Sequence, residues 1–395
     1  MSLGLSGNRW TSSFDHINKN FHVKSNKEIH IQSNYRLFLM HSPIPYKKNV
    51  SLSRLLNHWQ IAHVFEREIR KKMSPDVILC CMPTPELADS ATTYGQLNKT
   101  PVILDLRDMW PDIFIDVSPS ILKPFVSLAM TPYRLYLKRA CKKATALSGI
   151  TKEFIHWGQR LSNREPSEWD QHFWLAHTSK KPSDEELLKA KTYWKNLDIT
   201  ESSDDIVVSM IGTMSSKFDL ETVIKGARQF QERNEKVRFV FAGAGDQLSH
   251  FKRMAEGCSN ILFTGWVGFP EGYVLARLSH ISLAPYRNRR DFLASIPTKV
   301  IESFSAGLPV ISSLQGKLAS LLKDKGVGVT FRSGDPEDFY NQLTQLANNK
   351  EVLSSMGCRA SSLFENEFRA DKVYGAMADY IEKIAESFKR DGRLH

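Results

Sequence analysis

The chain has 395 residues, which at roughly 150 residues per domain suggests two or three domains. Hydrophobic residues make up 42% and charged residues 24%, enough apolar content for packed cores, which excludes a mostly disordered chain. The formal net charge is +10 and it is one-sided: residues 1–150 carry 20 Lys and Arg against 11 Asp and Glu, and the rest is close to neutral. That imbalance predicts either an anionic partner for the first part of the chain or a solvated basic surface.

The first ten residues have neither a basic nor an apolar region, so no signal peptide is expected. No apolar run approaches the roughly 18 residues of a spanning helix. The five cysteines, at 80, 81, 141, 258 and 358, form no C-x-x-C pair, so neither a disulfide framework nor a metal site is expected. A reduced, cytoplasmic protein follows.

In chain order, a helical pattern covers 52–72 and a short apolar run covers 76–82. A helix is expected over 84–97, with strands over 101–106 and 144–150. Strand, helix, strand at this spacing predicts βαβ units and a parallel sheet. A polar segment follows from 159 to 205, and a boundary between two α/β halves is expected within 155–205. The second half reads as strands over 206–211, 237–242, 261–264, 281–284, 309–312 and 326–331. Helices alternate with them over 219–234, 246–256, 272–278 and 297–306. The stretch 336–389 is helical in pattern, and its last part, with Val373, Met377, Tyr380, Ile381 and Ile384 at helical spacing, is a packing face. Two parallel-sheet domains predict a cleft, with ligands beyond the carboxyl ends of the strands.

The most informative segment runs Ser295-Ile296-Pro297-Thr298-Lys299-Val300-Ile301-Glu302 and on to Gly307-Leu308-Pro309-Val310-Ile311. Pro297 fits the first turn of a helix, whose free N–H groups and dipole suit a diphosphate. Lys299 adds a positive charge there, and Glu302, about 1.4 turns beyond Pro297, suits a ribose diol. Gly307 ends the helix before the next strand. An ordinary helix with a glycine cap accounts for the segment equally directly.

This segment resembles the donor-binding helix of GT-B glycosyltransferases, in particular glycosyltransferase family 4. Ile211-Gly212 with Lys217 is similar to that family's strand, glycine turn and phosphate-binding lysine. Phe241-Ala242-Gly243-Ala244-Gly245 and Leu262-Phe263-Thr264-Gly265-Trp266-Val267 are similar to its next two strand ends, the second touching the nucleotide base. Asp105-Leu106-Arg107-Asp108-Met109-Trp110-Pro111-Asp112 resembles the cleft-lining motif of bacterial polysaccharide transferases, and Pro43-Ile44-Pro45-Tyr46 with Asn49 fits the same subgroup.

The resemblance implies two Rossmann-like α/β domains facing across a cleft, residues 1–165 on the acceptor side and 166–370 on the nucleotide-sugar side. It also implies a C-terminal helix, 371–395, returning to the first domain. It implies a retaining, metal-independent sugar transfer from a nucleotide diphospho-sugar to a lipid-linked saccharide acceptor in surface-polysaccharide assembly. It places Asp105, Arg107 and Asp108 in catalysis, and Gly212, Lys217, Gly243, Gly265, Pro297, Thr298, Lys299 and Glu302 at the donor. Neither cofactor nor metal is expected, because fixed N–H dipoles with Lys217 and Lys299 stabilise the leaving diphosphate. Asp105 and Asp108 read equally as carboxylates capping the next turn.

Three positions depart from the family pattern. Ala294 stands where many relatives carry a first glutamate, and Thr213 where an arginine is common. Relatives also open with a strand, a glycine-rich loop and a helix before the segment matching Trp10-Thr11-Ser12-Ser13-Phe14-Asp15-His16. The chain is therefore expected to be shortened at its start, leaving part of the first sheet uncovered.

Residues 120–143 place Ile121, Leu122, Phe125, Val126, Leu128, Ala129 and Met130 before Arg134, Lys138, Arg139, Lys142 and Lys143. That order fits a helix lying on an anionic membrane, or a core helix with a solvated basic end. His16 and His41 are candidates to line the cleft, whereas His156, His172 and His177 read as surface or packing residues. A nucleotide-sugar 2-epimerase and a non-catalytic chain of the same fold are the competing readings. The sequence carries no nucleic-acid-binding motif.

Overall fold

A computed structural model describes residues 7–15, 20–46 and 51–391; His16 and Asn49 lie outside the described residues. The chain forms two compact units. One comprises the described residues up to His172 and those from Ala378 onward, the other runs from Phe173 to Met377.

In the first unit, strands β1 (Gly7–Ser12), β2 (Lys27–Gln32) and β3 (Tyr35–Met40) form a three-stranded sheet in the order β1-β3-β2. β1 runs parallel to β3, and β2 runs antiparallel to it. Helix α1 (Leu52–Ile69) starts at Ser51, whose hydroxyl accepts from the N–H of Arg54. Next come β4 (Ile78–Cys81), α2 (Pro85–Leu97), β5 (Val102–Leu106), α3 (Lys123–Lys143), β6 (Ala146–Gly149), α4 (Lys152–Ser162) and β7 (Gln171–His172). Strands β4 to β7 form a parallel four-stranded sheet in sequence order. The first unit thus holds two larger sheets, and the side chains of Leu79 in β4 and Ile31 in β2 are exposed.

The second unit contains α5 (Asp184–Lys195), β8 (Ile206–Ile211), α6 (Leu220–Glu232), β9 (Val237–Ala242), α7 (Leu248–Met254), β10 (Ile261–Gly265) and α8 (Phe269–Leu278). It continues with β11 (Ile281–Ala284), α9 (Thr298–Ser305), β12 (Val310–Ser312), α10 (Lys317–Lys325), β13 (Gly328–Thr330), α11 (Pro336–Ala347) and α12 (Lys350–Leu363). All six strands are parallel, in the order β10-β9-β8-β11-β12-β13. This is the doubly wound order, and the direction of winding reverses between β8 and β11. The core packs Val208, Phe239, Phe241, Ile281, Val300, Phe304, Phe339 and their neighbours at or near zero exposure. Helix α13 (Ala370–Asp391) carries the chain back into the first unit.

The change of unit comes at 172/173, later than the expected 165/166. Residues 164–172 are tied to the first sheet. Arg164 donates to the carbonyls of Cys141, Ala144 and Thr145 and pairs with Asp170 at 3.1 Å. Asp170 in turn accepts from Leu147 N–H at 2.8 Å, in β6. The return comes at Ala378, inside α13 and later than the expected 371, where the Tyr380 hydroxyl donates to the Trp169 carbonyl at 2.7 Å.

Candidate functional site

Every residue assigned to the donor lies in the second unit, at or just beyond the carboxyl ends of β8 to β11. Gly212 follows β8, and Gly243 follows β9 with φ at +153°. A side chain on Gly243 would meet the Gly212 carbonyl oxygen at 1.7 Å, and one on Gly245 would meet the Met214 carbonyl oxygen at 2.1 Å. The turns beyond β8 and β9 therefore lie backbone against backbone. Gly212 N–H to Ala242 O at 2.9 Å, Met214 N–H to Ala244 O at 3.0 Å and Gly243 N–H to Gly265 O at 2.7 Å lock them together. Gly265, at the end of β10, has φ at +76° and open space on its Cβ side. The next residue, Trp266, is 78% exposed.

Lys217 sits on the loop from β8 to α6, and that loop is pinned across the point where the sheet reverses. Arg287, after β11, donates from its N–H to the Lys217 carbonyl at 2.9 Å and from Nε to the Ser216 carbonyl at 3.2 Å. Asp219 N–H bonds to Pro285 O at 2.7 Å, and Phe218 packs on Tyr286 at 4.7 Å between ring centroids. Asp219 is 3% exposed. Its Oδ2 accepts from the hydroxyls of Thr222 at 2.8 Å and Ser333 at 2.5 Å, and from Gly334 N–H at 2.9 Å. Burial pushes this carboxyl up, but those bonds and the Arg287 charge outweigh it and hold it below the ordinary aspartate value. The Lys217 side chain is exposed.

Pro297 is buried and is the N-cap of α9, one residue before the first turn in which the sequence places it. Its extended ψ of 141° aims the chain into the helix, and the first helical N–H groups, Thr298 and Lys299, belong to the set that no helix can satisfy internally. Thr298 and Lys299 are exposed. The Lys299 ammonium pairs with the Glu302 carboxylate at 2.8 Å, so two of the expected donor contacts engage each other. Behind Glu302, Tyr286 is 6% exposed. Burial and then the Glu302 charge push its hydroxyl above the ordinary tyrosine value. Ala294, where a first glutamate is common, ends a short helical turn, Arg290–Leu293, beside a forked Arg289–Asp291 pair at 3.1 and 2.8 Å.

In the first unit, Asp105 is the fourth residue of β5 and is 2% exposed. Oδ1 accepts from Ser148 Oγ at 2.9 Å and Oδ2 from Arg107 Nε, and Cys81 Sγ lies 3.7 Å from Oδ2. Its groups bind side chains of three adjacent strand ends, so it holds Arg107 in place rather than standing open to a ligand. Arg107 and Asp108 are half-buried on the loop beyond β5. Asp112, which closes the same motif, accepts from Arg134 at 2.8 Å and from the Trp157 indole at 3.0 Å.

The other first-domain motif meets this one at α1. Tyr46 stacks on Phe14 at 4.1 Å, and Asn57 of α1 donates to the Ile44 carbonyl at 2.8 Å. The Arg54 guanidinium lies 5.8 Å from the Tyr46 ring centre and 5.6 Å from that of Trp110.

Residues 205–349 match the family model described as glycosyl transferases group 1, a stretch that begins just before β8 and ends after α11. The amylovoran biosynthesis glycosyltransferase AmsK of Erwinia amylovora is 23% identical over 184 residues, 44% of each chain, so this chain spans less than half the length of that relative in the match. The sucrose-phosphate synthase of Thermosynechococcus elongatus superposes with a TM-score of 0.71 at 12% identity, covering 96% of this chain and 89% of that one. HepE of Anabaena in complex with UDP gives 0.59 at 12% identity and 82% of both chains. WaaG, a glycosyltransferase involved in lipopolysaccharide biosynthesis, gives 0.60 at 15% identity, covering 90% of this chain and 88% of that one. The fold is GT-B. At these identities the likeness establishes the fold alone.

Within that fold the sequence did not reveal Asp219 and Arg287, which anchor the Lys217 loop, or Tyr286, whose ring packs on Phe218 beside that loop. Only Asp219 left a trace in the sequence: Asp with Thr three residues later at a helix start. Glu86, in the first turn of α2, was also missed; it is 3% exposed and, among the described residues, no other side chain pairs with its carboxyl oxygens.

Proposed function

We propose that the chain is a retaining glycosyltransferase that moves a sugar from a nucleotide diphospho-sugar to a saccharide acceptor, lipid-linked, in cell-surface polysaccharide assembly. The observation that carries this is that the expected donor residues sit on the turns after β8 to β10 and at the start of α9, around the sheet's reversal point, where doubly wound folds hold nucleotides. Bare backbone at Gly212, Gly243 and Gly265 lets a diphosphate approach closely. The N–H groups of Thr298 and Lys299, with the ammonium groups of Lys217 and Lys299, face the charge that builds on the leaving diphosphate. In this reading Glu302 gives up its pairing with Lys299 on donor binding and takes the ribose diol, while Trp266 is available to the base. No metal is required, since the lysines meet the developing charge.

On the acceptor side, Arg107 and Asp108 contact the acceptor or the transferring sugar, with Asp105 as their positioning residue. Helix α3 favours peripheral attachment at an anionic membrane. Ile121, Phe125 and Leu128 are exposed by 80%, 70% and 74%, with Lys123 and Lys138 exposed on the same segment. Arg134, Arg139 and Lys143 are engaged in ion pairs with Asp112 and Asp89, so the positive face is smaller than the sequence suggests. Among the described residues, no helix is long and apolar enough to cross a membrane.

The test is calorimetry and thermal shift across UDP-, GDP- and dTDP-sugars, beginning with UDP because HepE is seen with it. Saturable binding of one nucleotide series, lost in Glu302→Ala and Lys299→Ala, supports the reading. A folded chain that binds none of them refutes it.

A further inference from the structure

A groove of about 710 Å³ lies in the first unit along α1, lined by His41, Trp59, Gln60, His63, Glu66, Arg67 and Arg70 among others. Its size falls within the roughly 300–1,000 Å³ of small-ligand sites. Trp59 is 46% exposed, and the His63 ring lies 4.0 Å from it between centroids. His63 Nδ1 is 3.0 Å from the Trp59 carbonyl; since a carbonyl only accepts, that nitrogen carries the proton. The pair forms an exposed aromatic platform held by its own helix turn.

The polar groups around it are half-used. Gln60 Oε1 accepts from Ser42 Oγ at 2.6 Å, which leaves its amide to donate. Glu66 Oε1 accepts from Ser90 Oγ at 2.6 Å, which leaves Oε2 to accept. His41 Nδ1 is buried and, among the described residues, has no hydrogen-bond partner. Arg67 and Arg70, three residues apart and so on one face of α1, are exposed, and the Arg70 guanidinium makes no ion pair or hydrogen bond among the described residues. A flat ring face beside planar amide, carboxylate and guanidinium groups matches the apolar face and paired hydroxyls of a pyranose. Arg67 is paired with Glu68 at 3.0 Å, so the unpaired Arg70 guanidinium is the group that selects for negative charge, in keeping with the basic excess of residues 1–150.

We infer that this groove binds an acidic saccharide chain, stacked on Trp59 with a carboxylate held by Arg70. The inference rests on the sugar-transfer reading for the kind of ligand, and adds to it a binding site remote in sequence from the expected donor residues. The test uses the full chain, with trigalacturonate and maltotriose as acidic and neutral probes, read by tryptophan fluorescence and saturation-transfer NMR. Trigalacturonate is expected to bind saturably, more tightly than maltotriose, and more weakly as salt rises. Trp59→Ala should weaken it at least tenfold and Trp59→Phe less. Arg70→Gln should weaken trigalacturonate about tenfold and maltotriose less than twofold. UDP binding, measured in the same samples, should be unchanged in all three variants. No saturable binding of either probe, or equal binding by Trp59→Ala, overturns the site, and insensitivity to Arg70→Gln overturns its acidic selectivity. If saccharide binds and UDP does not, the donor reading fails while the groove stands.

Discussion

Glu86→Gln replaces a buried carboxyl group, with no side-chain partner among the described residues, by an uncharged group of nearly the same shape. Glu86 is 3% exposed, and burial pushes its carboxyl up from 4.5 to about 7. At about 1.4 kcal/mol per tenfold change in an ionisation constant, the charged form is roughly 3 kcal/mol worse off in the folded chain than in the unfolded one. The unfolded carboxyl releases its proton near pH 4.5, and the folded one keeps it to about pH 7. Below pH 4.5 there is therefore no penalty; it grows as pH rises toward 7 and stays at its full value above. Relative to the parent, Glu86→Gln should gain about 3 kcal/mol at pH 8 but under about 1 kcal/mol at pH 5. Any cost of burying the amide is common to both pH values and cancels in the difference. Urea unfolding of parent and variant at the two pH values measures it, with the first unit followed by its own tryptophans. A stability difference that is the same at pH 5 and pH 8 would refute the buried carboxyl without a side-chain partner.

Gly243→Ala should abolish UDP binding or weaken it at least tenfold by calorimetry, because the added carbon falls 1.7 Å from the Gly212 carbonyl oxygen and both partners are backbone. Asp219→Ala leaves the Thr222 and Ser333 hydroxyls without their acceptor, and the Gly334 N–H with Thr222 Oγ1 alone. A loss of about 3 kcal/mol in the second unit is expected by denaturant unfolding, with weaker donor binding through the displaced Lys217 loop. Replacing Ile121, Phe125 and Leu128 together by Ser should cut sedimentation with phosphatidylglycerol vesicles severalfold while leaving the melting temperature within a few degrees, since all three side chains are exposed. Transfer activity, once a donor is found, should be unaffected by a chelator.

The second unit was legible because its strands are buried on both faces. Ile206–Ile211, Val237–Ala242 and Ile281–Ala284 are mainly apolar, each broken by a single residue (Ser209, Arg238, Ser282), and they begin and end where the sequence predicts. The first sheet was not. β1 and β2 expose much of their length and mix Asn8, Arg9, Lys27, Glu28 and Gln32 among their apolar residues, so neither alternation nor an apolar run marks them. Helix α5 was read as a polar segment because only Ala190 and Trp194 are buried, although Ser183 and Glu186 form a capping box at its start. Helix α3, read as helical over 120–143, spans Lys123–Lys143 despite Pro124 and Pro132. At the site, glycine turns and the Pro297 helix start are written locally. The Arg287 and Asp219 anchorage of Lys217 is not, since it joins segments more than sixty residues apart.

The Asp219 carboxylate has a bearing on how the second unit is assembled. It joins the loop after β8 to Ser333 and Gly334, more than a hundred residues further along the chain. Contacts of that separation form late, after the entropy of closing a long loop has been spent. During synthesis the Lys217 loop therefore waits for residue 334 to emerge before its anchorage is complete. A fragment ending at β13 would keep all six strands yet lack that anchorage, and should be less stable, with the Lys217 loop incompletely anchored.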